Sequence, residues 1–126
     1  MFTSVRDSTA GIVSLSEVAL YGTGGEALPV QRALNPGGEA PHAGEVAEKV
    51  ADGSLSSKWL DISFHNESIL QLELLEAEPV MEYELFTSPG VAASELKRDP
   101  TGWRFGIVRE SGAFEELSRV SGVDPP

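Results

Sequence analysis

The stretch SILQLELLEAEPVMEYELF, Ser68 to Phe86, sets the fold class. Leu70, Leu72 and Leu74 fall on one side of an extended chain, with Gln71 and Glu73 on the other. Beyond Pro79 the pattern repeats: Met81, Tyr83 and Leu85 stand opposite Glu82 and Glu84. A period of two belongs to half-buried strands, because successive side chains of a strand point to opposite faces. GWRFGIVRE, Gly102 to Glu110, alternates in the same way through Trp103, Phe105 and Ile107. GIVSLSEVALYG, Gly11 to Gly22, is apolar on both faces in places and predicts a more central strand. AFEELSRVSG, Ala113 to Gly122, predicts a shorter, weaker one.

Turn chemistry separates these runs. GTGGEAL (Gly22 to Leu28) predicts a hairpin turn, since glycine supplies positive φ. LNPGGEAPHAGE (Leu34 to Glu45) predicts a long irregular loop. SPGVAASELKRDP (Ser88 to Pro100) predicts another, with one helical turn at Ala92 to Leu96. EVAEKVADG places Val46 and Val50 four apart, enough for one or two helical turns ended by Gly53. Many strands and few helices predict an all-β chain, an antiparallel β-sandwich of one domain. Residues 11–122 are assigned to the sandwich, residues 1–10 to an N-terminal extension and residues 123–126 to a tail.

The chain has 126 residues, no cysteine and a formal net charge of -11. Disulfides and thiolate metal or redox sites are excluded. The acidity disfavours a nucleic-acid backbone or an anionic membrane as partner. Between Trp59 and Leu96 there are eight acids and no Lys or Arg. That segment is either a solvated acidic sheet face or a surface for cations or a basic partner. No apolar run reaches the length that spans a bilayer. The N-terminal residues lack the apolar core of a secretion signal, so the protein is either not exported or begins after processing, in an extracellular or lumenal setting.

Catalytic patterns dissolve on inspection. Ser94 and Lys97 match SxxK without its companion motifs, and the glycines at 22–25 lack the Lys-Ser/Thr end of a phosphate loop. His42 and His65 lie far apart without metal-ligand spacing. An enzyme is therefore not expected. Asp52, Ser54, Ser56 and Ser57 offer hard oxygen ligands of the kind Ca²⁺ takes. They equally suit an Asx/Ser turn with Trp59 as ordinary core.

KVADGSLSSKWLD (Lys49 to Asp61) resembles the A-x-D-G-x-x-S-T-x-W segment of discoidin-like domains, the galactose-binding-like β-sandwiches of coagulation-factor and carbohydrate-binding modules. KRDPTGWRFGIVRESGAFEEL is similar to the family's RDP-x-x-W-x-L-x-G-S strand and turn, and SLSEVALYG to its SEIELYG strand. The last lies near the N-terminus here, the order of a circular permutation or of a segment of a longer chain. The resemblance implies a jelly-roll sandwich in which Trp59 anchors a loop around a structural Ca²⁺. Asp52 would be the ligating Asp, Ser57 would stand where a Thr is usual, Glu17 would close the site, and carbonyls near Val50 and Ser54 would complete it.

The function this implies is non-catalytic binding of a glycan or protein through loops at one end of the sandwich. The alternative is a structural or accessory subunit docking through the same fold in a larger assembly. Candidate ligand contacts are His42, Lys58, His65 and Arg98, polar groups in or beside expected loops.

Overall fold

The computed structural model describes residues 1–88 and 96–125. Among them nine strands run in chain order: β1 (Phe2–Val5), β2 (Val13–Leu15), β3 (Glu17–Tyr21), β4 (Val30–Leu34), β5 (Trp59–Asp61), β6 (Gln71–Leu74), β7 (Glu82–Phe86), β8 (Pro100–Val108) and β9 (Phe114–Val120). Every pairing is antiparallel: β1-β8-β9, β2-β5, β3-β7 and β4-β6. Helical structure is confined to short 3₁₀ turns at Ser8–Ala10, Ala43–Glu45 and Ala47–Ala51 and to the end of a turn at Leu96. The fold is all-β and sandwich-like, as the period-two pattern predicts. The rest of the turn expected at Ala92 to Leu96, and Ser94 with it, lies outside the described residues.

The core explains the central strand. Val13 and Leu15 are buried, and so are Val18 and Leu20. The apolar phase changes from odd to even between them, and the chain bends at Ser16. β2 pairs with β5 before the bend and β3 with β7 after it. A strand that changes partners at a corner must shift phase to keep both halves on one core. Ser14 is also fully buried, so β2 is covered on both faces. Phe2, Leu28, Ala33, Val50, Trp59 and Phe64 join the same cluster, and Leu70, Leu72, Leu74, Tyr83, Leu85, Trp103 and Phe105 pack against it.

Three expectations need correction. The first ten residues are no extension: β1 pairs with β8, and Phe2 and Val5 are core. The tail is held as well, since Arg6 donates to Asp124 Oδ1 (2.7 Å) and to the Pro125 carbonyl (2.6 Å). β9 is not short; it runs seven residues along β8. Burial fades along this hairpin, where Val108 (52%) and Leu117 (55%) are exposed. Trp103 is half-buried, its Nε1 donating to Tyr83 Oη at 3.0 Å while Tyr83 stacks on Phe105.

Candidate cation site

The loop begins with a tight turn. Ala47–Ala51 is 3₁₀, so Ala47 and Val50, three apart, enter the core in place of the Val46 and Val50 pair an α-helical turn would bury. Asp52 follows, and Gly53 takes φ +75°, a left-handed conformation that costs glycine nothing. The chain then folds back on itself. Asp52 Oδ1 accepts from the Ser54 amide (3.0 Å), and Oδ2 accepts from Ser57 Oγ (2.5 Å). Ser54 Oγ lies 2.8 Å from Ser56 Oγ. Trp59 is wholly buried beyond the loop, its ring 5.8 Å from that of Phe2. The Asx/Ser turn and the core tryptophan are thus both present.

A further observation goes beyond an Asx turn. Glu17, first residue of β3, sends its carboxylate to the same loop, against that of Asp52. Its Oε2 is buried and has no hydrogen-bond partner. Burial pushes Glu17 up to about 7, with the Asp52 charge adding to it, although the Gly53 and Ser54 amides pull the other way. Asp52 moves in the opposite direction: the Ser57 hydroxyl, aided by the Ser54 amide, holds it below the usual carboxylate range. A neighbouring like charge disfavours the ionised form, so a proton or a cation beside the pair would relieve the repulsion. No three His, Asp or Glu side chains among the described residues group at metal-binding spacing. The groups that meet here are two carboxylates and the Ser57 hydroxyl. An all-oxygen set is the chemistry that a hard cation such as Ca²⁺ takes.

The sequence-based metal residues Glu17, Asp52 and Ser57 are thus brought together. The ligand candidates are spread over separate segments. His42 is exposed, its Nε2 3.7 Å from Glu45 Oε1. Lys58 is half-buried directly before β5. Arg98 is half-buried before β8, where its carbonyl accepts from the Ser14 amide. His65 is exposed and lines a groove with Gly37, Gly38, Asp61, Ser63 and Ser68.

Two residues went unflagged in the sequence. Asp61 is buried and accepts from the Glu39 amide and from the amide and hydroxyl of Ser63, while its other oxygen accepts from Ser68 Oγ. Burial alone would raise it, but the Ser68 and Ser63 hydroxyls with these amides outweigh burial and hold it low. It fastens the loops around the His65 groove. Ser16 fastens the Asp52–Ser57 loop, its hydroxyl lying 2.8 Å from the Leu55 carbonyl and 3.0 Å from that of Ser57. The phase break at Ser16-Glu17 was the available signal for it. Comparison of the chain with protein-family models, curated proteins and solved structures finds no match.

Proposed function

We propose that this chain is a non-catalytic binding module of discoidin-like, jelly-roll type, with a structural Ca²⁺ holding the Asp52–Ser57 loop. The observation that carries the reading is the meeting of Glu17 and Asp52, 35 positions apart, with Glu17 Oε2 buried and unpartnered. Glu17, Asp52 and Ser57, with carbonyls near Val50 and Ser54, would hold the ion. The ion would supply positive charge, fixing the loop over Trp59; it has no part in any reaction. The groove beside His65 offers hydroxyls, a carboxylate and an imidazole, the planar and polar groups by which a glycan or a polar peptide is oriented. Lys58, His42 and Arg98 would be separate contacts outside that groove.

A glycan array probed with the calcium-loaded chain tests the ligand class. Saturable binding that His65→Ala weakens supports the module. A blank array, with the protein recovered from its source in a stable complex, supports the accessory-subunit reading. One observation favours that second reading: Val108 and Phe114, paired across the far end of the β8–β9 hairpin, are both exposed apolar residues.

A further inference from the structure

Ser16 occupies the corner where β2 ends and β3 begins, and it is fully buried. Its amide donates to the Phe86 carbonyl at 2.8 Å, fixing the corner to β7. Its hydroxyl lies within hydrogen-bond distance of the Leu55 and Ser57 carbonyls, which flank the tip of the cation loop. In a regular strand the side chains of residues 16 and 17 would point to opposite faces. The bend at Ser16 removes that constraint, so the Ser16 hydroxyl and the Glu17 carboxylate reach the same loop.

We infer that Ser16 is the positioning residue of the cation site: its hydroxyl holds the backbone at Leu55 and Ser57 so that Asp52 and Ser57 face Glu17. This rests on the cation reading above, and it adds a residue that touches no ion. Without the hydroxyl, the Leu55 and Ser57 carbonyls lose the one side-chain donor they share, and the loop must be ordered by the ion itself. Cation affinity should therefore fall by about five- to tenfold, the worth of one net hydrogen bond.

A neighbour supplies the control. Ser14 lies two residues away, is equally buried, and its Oγ has no hydrogen-bond partner. Calcium titration calorimetry on the full chain should show Ser16→Ala weakened about five- to tenfold and Ser14→Ala close to the parent. Ser16→Cys keeps the side-chain shape with a larger atom and a poorer donor, and should fall between them. It carries the test if Ser16→Ala does not fold. Parent-like affinity in Ser16→Ala, or in Ser16→Cys where that variant stands in, overturns the inference and leaves the cation site standing. Equal weakening in Ser14→Ala also overturns it, because the effect would then be general loss of strand packing. A parent chain that binds no Ca²⁺ overturns the site and the role of Ser16 together.

Discussion

At the scale of single residues, charge and burial make separable demands. Glu17 is raised from 4.5 to about 7. A raised pKa means that the folded state favours the protonated form. In the metal-free chain the contribution of Glu17 to stability is therefore full below its ordinary value and is lost as pH rises through 7. Thermal melts in chelator should show stability declining between about pH 4.5 and 7. Glu17→Gln should flatten that decline, and so should Ca²⁺ if, as proposed, it takes the place of the Glu17 proton. Asp61 has the opposite sign. Held below its ordinary 3.8, it stabilises the fold above that value and ceases to do so as pH falls through its folded pKa. Asp61→Ala should remove part of the acid-induced loss and destabilise the chain at neutral pH, because Ser68 Oγ and the Glu39 amide lose their acceptor. Trp59→Ala should cost about 3–5 kcal/mol in chemical denaturation, the range for a fully buried large aromatic. Trp103→Ala should cost less, since Trp103 is only half-buried.

At the scale of elements, the β8–β9 hairpin carries a sharp steric condition. A bulge falls between Phe105 and Gly106 in the register, and Gly106 lies under the Phe114 ring. A Cβ at Gly106 would stand 2.0 Å from the Glu115 carbonyl oxygen, which is backbone and cannot swing aside. Gly106→Ala should therefore destabilise by about 1–3 kcal/mol. A melting temperature equal to the parent would show that the hairpin is looser than drawn. Strands β6, β7 and β8 were legible because alternation is local, and so was the Gly22–Leu28 turn, closed by the Gly22 amide on the Glu26 carbonyl. β1 was not legible. Phe2–Val5 is four residues with two polar positions, and its partner lies about a hundred residues away. The Val46–Val50 spacing suggested α-helix, yet period three prevailed because Ala47 and Val50 are the side chains that reach the core. In the site, the proximity of Asp52 and Ser57 follows from five residues of turn chemistry. Glu17 was identified by resemblance alone, because no local pattern states which distant strand a loop will meet. Ser16 carries no charge and sits in an ordinary Ser-rich run, so only its place at the phase break distinguished it.

At the scale of the whole molecule, one core is shared by four antiparallel groups of strands, and the Asp52–Ser57 loop is fastened to the corner where one strand passes between two of them. No helix among the described residues is long and apolar enough to cross a membrane. The acidic segment between Trp59 and Leu96 carries exposed Glu76, Glu78, Glu82 and Glu84, with Glu73 paired to Arg32. Far-ultraviolet circular dichroism should be dominated by strand, with helix below about 15%. The central claim, that the facing carboxylates of Glu17 and Asp52 hold a cation, is tested most directly by the melting temperature at pH 8 in millimolar Ca²⁺ and in chelator. An ion at a hundredfold excess over its Kd stabilises by about 2.7 kcal/mol, a rise on the order of 10 °C for a chain of this size. The account predicts that rise in the parent, and its disappearance in Asp52→Ala. Equal melting temperatures in Ca²⁺ and chelator would contradict it and leave a dry Asx turn, in which Asp52 only caps the Ser54 amide.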